Sequence, residues 1–259
     1  MQLARSALIA AAVIWTSAAT ADPDCRAHSP DSSTALIELY TSEGCDSCPP
    51  ADRWLSSLST QKLGDRVVAL ALHVDYWDRL GWKDRFASAG FSQRQRDESA
   101  RSGGDFVYTP QVLLQGRDFP QWHASGELKQ AIASINARPA RAVLDLAVHP
   151  RGGAADVDVG VRVTDPRDRA DAVVAVALVQ SGLSSEVKAG ENAGRRLRHD
   201  HVVRQWRQVV ALDPSGAAAG KVHFDLPAEP GPLSVVALAE NVRTGDVLQA
   251  LELPLCATP

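Results

Sequence analysis

The sequence predicts an α/β domain in its N-terminal half, followed by an all-β, sandwich-like domain. Three observations support this fold class. The apolar run at residues 35–40 precedes Cys45-Asp46-Ser47-Cys48 and an amphipathic segment, which is the order of strand, turn and helix. A second apolar run at residues 67–74 is typical of a strand covered on both faces. From Arg141 onward, short segments of alternating polarity, separated by glycine and proline turns, indicate antiparallel strands.

Residues 1–21 have the features of a secretory signal peptide. Arg5 supplies a positive start, residues 7–15 are apolar, and Ala19-Thr20-Ala21 is a small-x-small cleavage site. The apolar run is too short to span a bilayer. We therefore expect cleavage near Ala21 and an exported protein, periplasmic or secreted, without stable membrane insertion; an uncleaved anchor is the alternative. The formal net charge of −4 carries no basic signature of nucleic-acid binding.

The α/β domain is predicted over residues 33–139, after a short tail at residues 22–32. Its elements follow the order β-α-β-α-β-β-α. We expect Ser47 to be the N-cap of the first helix, because the two prolines after Cys48 then fall in the first turn, where proline is tolerated. This placement leaves Cys45 just before the helix and more exposed.

The two cysteines of this segment form the candidate catalytic site. Two thiols separated by two residues at a helix N-terminus can exchange with a disulfide, because the helix dipole favours a thiolate on the first sulfur. Cys45 is therefore the candidate nucleophile and Cys48 the resolving thiol. The same spacing also occurs in a permanent disulfide that pins the turn and in half of a zinc site.

The order of elements, with paired cysteines after the first strand, resembles a thioredoxin fold. Pro110, at the start of the third strand, matches the place where thioredoxin-like proteins carry a cis-proline that faces the cysteine pair. The resemblance implies that Thr109 and Pro110 belong to the catalytic site and close one wall of a substrate groove. An ordinary proline at the start of a strand is the alternative.

Asp75, Tyr76 and Trp77 follow the second strand at its carboxyl end. Ligands of open α/β sheets bind at that end of the strands. These three residues are candidates to line the groove, and Asp75 is a candidate to move protons for Cys48. Packing and capping are the simpler explanation of such a cluster.

The sandwich-like domain is predicted over residues 140–259, with seven or eight short strands. An insertion at residues 190–201 interrupts the strand pattern with glycines, arginines and histidines. If it lies over the cysteines, Arg195 or His199 could stabilise a thiolate or bind an acidic partner. A solvated, salt-bridged loop is the alternative.

Four segments together resemble a secreted bacterial family called domain of unknown function 1223. They are residues 39–52, residues 73–78, Tyr108-Thr109-Pro110-Gln111 and the insertion at residues 190–201. The resemblance covers nearly the whole mature chain. It implies a thioredoxin-like scaffold but no particular activity.

Cys25 and Cys256 lie near the two ends of the mature chain. If Cys45 pairs with Cys48, the remaining two cysteines are left to form a structural disulfide between the termini. The chain-entropy model gives about 5 kcal/mol for so long a loop. The alternative pairing joins one terminal cysteine to the Cys45–Cys48 segment and disables that site.

Taken together, the sequence predicts an exported thiol–disulfide oxidoreductase-like protein that acts on a protein or peptide partner and needs no dissociable cofactor. One alternative is a copper-binding carrier with Cys45, Cys48 and His73 as ligands, because soft thiolates select Cu(I). Exported copper-delivery proteins on this scaffold, however, usually space their cysteines by three residues. The other alternative is a non-catalytic adaptor whose sandwich recognises the partner.

Overall fold

The computed structural model describes residues 25–58, 66–209 and 212–256. The predicted signal peptide at residues 1–21 lies outside these ranges. Among the helices within them, none has the length and apolar character needed to cross a bilayer.

The N-terminal half contains the three α-helices that the described residues form. The first helix begins directly after Cys48, with prolines at its first two positions, where no intrahelical N–H is lost. Ser88 caps the second helix by accepting a hydrogen bond from the Gly90 amide. The elements are β1 (Arg26–His28), β2 (Ala35–Thr41), α1 (Pro49–Ser57), β3 (Val67–His73), α2 (Ala89–Arg101), β4 (Gln111–Leu114), β5 (Arg117–Asp118) and α3 (Ser125–Asn136).

The C-terminal half consists of strands joined by tight turns, as the alternating pattern predicts. Glycines with positive φ stand in several of these turns, among them Gly152 and Gly153 between the first two strands. The strands are β6 (Ala142–Arg151), β7 (Ala154–Val163), β8 (Ala172–Gln180), β9 (Leu183–Glu186), β10 (Arg196–His199), β11 (Val202–Val209), β12 (Ala217–Asp225), β13 (Leu233–Asn241) and β14 (Asp246–Pro254).

One eight-stranded sheet runs through both halves, in the order β14-β13-β8-β11-β3-β2-β4-β5. The join between the halves is narrow. β11 pairs with β8 over seven residue pairs, but it meets β3 in parallel only at Val202 and Ala71. The Ala71 amide also donates to the carbonyl of His201 at 2.8 Å. The sheet is therefore continuous across the predicted boundary at residue 140, and the division into two domains stays a prediction.

The two faces of this sheet are covered by different layers. Alternating residues of β2 show the arrangement: Ile37 and Leu39 pack with the apolar residues of α1 and α3, whereas Leu36 and Tyr40 pack on the opposite face with Phe91 of α2. Farther along the sheet, the inner side chains of β8, β13 and β14 pack against a second, four-stranded sheet, β1-β6-β7-β12. A sheet-rich chain with its helices in the N-terminal half is thus confirmed.

A buried charge cluster fastens α2 to both halves of the large sheet. The guanidinium of Arg94 donates to Glu38 of β2 at 2.8 Å and to Glu240 of β13 at 2.9 Å. Glu98, one turn farther along α2, lies 3.7 Å from Arg94. We call these four residues the Arg94 cluster.

The predicted N-terminal tail belongs to the four-stranded sheet. β1 pairs antiparallel with β6, with Arg26 opposite Ala147. Directly before it, Cys25 forms a disulfide with Cys256, and their Cα atoms are 5.8 Å apart. Both ends of the described chain are therefore anchored to the β-rich half.

Candidate functional site

Cys45 and Cys48 form a disulfide at the point where β2 passes into α1, with their Cα atoms 5.4 Å apart. The turn is closed by short-range hydrogen bonds, from the Cys45 amide to the Ser42 carbonyl at 3.2 Å and from the Cys48 amide to the Cys45 carbonyl at 3.3 Å. Both cysteines have no exposed surface. The expectation of an exposed Cys45 was wrong, because a distant segment of the chain covers it. The N-cap is Cys48 and not Ser47.

Thr109 and Pro110 form one wall beside the disulfide. The peptide bond between them is cis, and the Thr109 carbonyl oxygen lies 3.8 Å from Cys45 Sγ. Trp77 joins this wall to the cysteine turn. Its indole N–H donates to Thr109 Oγ1 at 2.7 Å, and an added Cβ at Gly44 would lie 3.1 Å from Trp77 Cβ, so a larger side chain at that position would crowd the indole.

The loop between β9 and β10, residues 187–195, covers the cysteine turn from the other side. Asn192 of this cap loop is fully buried and donates from Nδ2 to the carbonyls of Glu43 and Cys45, both at 2.8 Å. Arg195 in turn donates to Asn192 Oδ1 at 2.9 Å. The Asp46 amide donates to Glu191 Oε2 at 3.1 Å. Arg195 thus holds the residue that closes the cap.

A buried histidine cluster lies next to the cysteine turn. It contains His73, Asp84, His199, Glu43 and Asp52. His73 Nδ1 is 2.7 Å from Asp84 Oδ2, and the two imidazole rings have their centroids 5.0 Å apart. His199 Nε2 lies 3.2 Å from Glu43 Oε1, an ion-pair distance without the alignment of a hydrogen bond. His199 Nδ1 is 3.9 Å from Asp52 Oδ2. Three carboxyl groups and two imidazoles therefore share one buried volume.

The protonation of this cluster follows from burial and from its pairs. Burial by itself lowers the pKa of His73, but the adjacent Asp84 carboxylate outweighs it, so the pKa lies above the ordinary histidine value. Burial raises the pKa of Asp84, but His73 outweighs burial and the net pKa is lowered. Burial raises the pKa of Asp52 beyond what the histidines offset. His73 and Asp84 thus form an ion pair, while Asp52 retains its proton to a higher pH than an exposed aspartate.

Asp75 and Tyr76 both contact α2. Asp75 Oδ1 accepts a hydrogen bond from the Ser92 hydroxyl at 2.5 Å. The Tyr76 hydroxyl donates to Gln95 Oε1 at 3.2 Å. Both partners belong to α2, so these two side chains position that helix. Trp77 contacts the wall beside the disulfide through Thr109 Oγ1, and the Tyr76 hydroxyl also interacts with the Thr109 side chain.

The copper alternative requires that thiolates and an imidazole converge. Cys45 and Cys48 are joined to each other, and His73 Nδ1 is occupied by Asp84. Within the parts of the chain that the structure describes, no three side chains of His, Cys, Asp or Glu are arranged to hold a metal ion. The arrangement therefore offers no support for a copper-binding site.

No role was predicted from the sequence for Asn192, Glu43, Asp52 and Asp84. Asn192 lies within the insertion that the sequence singled out, but an asparagine between glycines is typical of any turn. Asp52 and Asp84 are spaced along α1 and the segment before α2 with no motif that joins them. Their roles depend on burial, for which the sequence contains no local signal.

Comparison with known proteins places this site in a family. The profile of the family described as "Protein of unknown function (DUF1223)" matches residues 36–239. No curated protein matches the sequence.

Two solved structures resemble the chain over most of its length. A crystal structure of a protein from Agrobacterium tumefaciens shares 26% identity with a TM-score of 0.59, over 86% of this chain and 95% of that one. HBP35 of Porphyromonas gingivalis shares 13% identity with a TM-score of 0.63, over 89% of this chain and 81% of that one. The second similarity concerns the fold alone.

Proposed function

Because the chain belongs to the DUF1223 family, whose description names no activity, we propose a function from the residues of this chain. The protein is an exported thiol–disulfide oxidoreductase. It acts on a protein or peptide partner through Cys45 and Cys48. The observation that carries the proposal is the disulfide at the N-terminus of α1, packed 3.8 Å from the Thr109 carbonyl. The proposal includes a thioredoxin-like scaffold for the N-terminal half.

Two properties of this position favour exchange over a merely structural role. The cysteine turn lies at the positive end of the α1 dipole, which stabilises a thiolate on the first cysteine. The backbone of Thr109 also lies beside the sulfur, where an extended peptide could align along it. Two disulfides in one chain agree with an oxidising, exported compartment, since disulfides persist there.

In the oxidised form of the structure, exchange begins with a thiolate of the partner. It attacks Cys45 Sγ, which forms a mixed disulfide and breaks the Cys45–Cys48 bond, with the electron pair left on Cys48. A second partner thiolate then attacks the partner sulfur of the mixed disulfide and releases Cys45. The partner loses two electrons and gains a disulfide, and the cysteine pair gains both electrons. The reverse sequence reduces a partner disulfide.

The cap loop has to move before a partner can reach the sulfur, because Cys45 has no exposed surface. Asn192 is the residue whose two hydrogen bonds hold the cap to the cysteine turn. Exchange at this site is therefore gated, and its rate is limited by the opening of residues 187–195.

The proposal is tested by titrating the purified mature protein with glutathione buffers and following the Cys45–Cys48 bond by thiol alkylation and mass spectrometry. A reversible transition in the range of exported oxidoreductases, about −120 to −300 mV, supports exchange. Cys48→Ser should then trap mixed disulfides with partners. A bond that stays oxidised below this range identifies a structural staple and refutes the proposal.

The gate has its own test. Asn192→Ala should raise the rate at which dithiothreitol reduces the Cys45–Cys48 bond by about thirtyfold, because two buried hydrogen bonds of roughly 1 kcal/mol each no longer hold the cap. Glu186→Ala, at an exposed position on the same hairpin, is the matched control and should leave the rate unchanged. Equal rates in both variants would show that the cap does not limit access.

A further inference from the structure

A cavity of about 410 Å³ lies between two segments of the chain. Residues 85–94 lead into α2 and form its first turn, and residues 203–207 belong to β11. Its lining includes four arginines and three aromatic residues: Arg85, Arg94, Arg204, Arg207, Phe86, Phe91 and Trp206. None of the described lining residues is acidic. The volume is that of a small-molecule site, which typically ranges from about 300 to 1,000 Å³.

The cavity exists because two neighbouring strands of the large sheet diverge. β11 meets β3 only at Val202 and Ala71, and a bulge between Val203 and Gln205 then interrupts its pairing with β8. α2 starts at the carboxyl end of β3, where the Ser88 amide donates to the His73 carbonyl at 3.0 Å. In sheets of this kind, ligands bind at the carboxyl ends of the strands, where neighbouring connections separate.

Two of the arginines are already neutralised. Arg85 donates to both carboxylate oxygens of Glu229 at 2.8 and 2.9 Å. Arg94 is paired with Glu38 and Glu240 within the Arg94 cluster. These two guanidiniums are fixed parts of the wall, and a ligand would gain little from their charge.

Of the other two arginines, Arg207 pairs with no carboxylate of the described residues, and Arg204 shares Glu229 with Arg85. Arg204 donates to the neutral amide oxygen of Gln180, and its nearest carboxylate oxygen, on Glu229, is 3.8 Å away. Arg207 donates only to the Trp206 carbonyl at 3.2 Å and to Gln205 Oε1 at 3.1 Å, both of them neutral. Burial is the main cause that lowers the pKa of Arg204; Glu229 opposes this shift, and the charge of Arg85 adds to it. The cavity therefore contains cationic charge that the described residues do not balance.

Aromatic rings supply the apolar surface of the same cavity. The Arg94 guanidinium lies 4.7 Å from the ring centroid of Trp206. The Phe86 ring is flanked by Arg85 at 4.4 Å and by Arg204 at 5.3 Å. Such stacking fixes the guanidinium planes and the rings together, so that the site is formed before a ligand enters.

We propose that this cavity binds a small organic anion, with its anionic head on Arg204 and Arg207 and its apolar body against Trp206 and Phe86. The ligand needs both features. An inorganic ion would make no apolar contact with the aromatic rings, and a neutral molecule would not pair with the arginines. The site is separate from the cysteine pair: Phe86 stands between them, and its ring contacts His73 and His199 of the buried histidine cluster at 5.2 and 5.6 Å.

Calorimetric titration of the full mature protein with phenyl phosphate tests the proposal. We expect one saturable site per chain and at least tenfold weaker binding of benzyl alcohol, its neutral analogue. Arg204→Gln and Arg207→Gln should each weaken phenyl phosphate about tenfold or more, since each removes a charge-assisted hydrogen bond. Arg167→Gln, which removes an exposed arginine paired with Asp165, is the control and should leave affinity unchanged.

Further variants separate this site from alternatives. Trp206→Ala should weaken phenyl phosphate but leave the weak binding of inorganic phosphate unchanged. Cys45→Ser/Cys48→Ser should retain full affinity, so the result is independent of the redox proposal. Arg207 is exposed, so its replacement does not threaten folding. The absence of saturable binding, equal affinity for benzyl alcohol, or no loss in Arg207→Gln would each overturn the proposal.

Discussion

Histidine–carboxylate pairs occur in two regions of this molecule at nearly the same distance. On the outer face of the four-stranded sheet, the pairs are separated by 2.7 to 2.9 Å, and their imidazoles are between 42% and 63% exposed; they are His28–Asp145, His149–Asp158 and His223–Asp156. In the buried histidine cluster, His73 and Asp84 are also 2.7 Å apart, and neither side chain is exposed.

The distance between the two partners therefore does not by itself measure how much such a pair contributes to stability. On the outer face, water solvates each partner, so the loss of one leaves the other hydrated. In the buried cluster, the loss of one partner leaves a charge without solvent or counterion. The Arg94 cluster belongs with the second case, since Glu38, Glu98 and Glu240 share a single central guanidinium.

The largest effect is expected from Asp84→Asn. It removes the counterion of buried His73 and should lower the free energy of unfolding by about 3–5 kcal/mol. Asp158→Asn, on the outer face, removes the carboxylate of an exposed pair and should cost at most about 1 kcal/mol. Urea unfolding of both variants at pH 7 measures the difference. Equal losses of unfolding free energy in the two variants would show that burial does not make the pair His73–Asp84 more stabilising than the exposed pairs.

A smaller effect is expected from Glu98→Gln, which should change how the free energy of unfolding depends on pH. Burial and then the neighbouring Glu240 raise the pKa of Glu98 to about 7, because Arg94 and Arg101 only partly offset them. The folded protein then binds a proton between about pH 4.5 and pH 7 that the unfolded chain releases, so this contribution to stability is lost as pH rises through 7.

The neutral glutamine avoids that loss. From pH 5 to pH 8, the free energy of unfolding of Glu98→Gln should therefore improve by about 1–3 kcal/mol relative to the original chain. Glu127→Gln changes an exposed glutamate of α3 and should show no such trend. Urea unfolding at each pH gives both values, and parallel pH curves for Glu98→Gln and the original chain would contradict the assignment.

The smallest effect is expected on the outer face itself. Lys221 Nζ lies 2.8 Å from Asp158 Oδ1, with both side chains exposed. A double-mutant cycle with Lys221→Ala and Asp158→Ala should give a coupling energy of about 0.2–1 kcal/mol in 0.1 M salt. It should vanish in 1 M NaCl, where the screening length falls to about 3 Å. A coupling that persists in high salt would place this pair with the buried clusters.

The sequence predicted features that depend on neighbouring residues. The change from strand to helix around Cys45 and Cys48 could be predicted because its signals are local. The apolar run of the strand, the turn and the two prolines follow one another directly in the sequence. The pairing of Cys25 with Cys256 followed once the other two cysteines were assigned to each other. The insertion at residues 190–201 was recognised because it interrupts a regular strand pattern.

Features that depend on residues far apart in the chain could not be predicted from the sequence. The contact of Val202 with Ala71 joins segments about 130 positions apart, and no pattern in β11 distinguishes it from the other strands of its half. Arg94 lies on a polar helix, where an arginine is ordinarily solvated; its burial results from Glu38 and Glu240 on two strands. The exposure of Cys45 was mispredicted for the same reason, since the covering Asn192 comes from the far half of the chain.

The disulfide between Cys25 and Cys256 has a mechanical consequence. It bridges a sequence separation of 231 residues, with only 5.8 Å between its Cα atoms. While the bond is intact, tension applied through the residues outside it passes across the bridge, and no strand carries the load. After reduction, the same tension would pull on β1 and β14, each at the edge of its sheet, and would peel these strands away first. The redox state of one bond thus decides whether force on the ends of the chain reaches the fold.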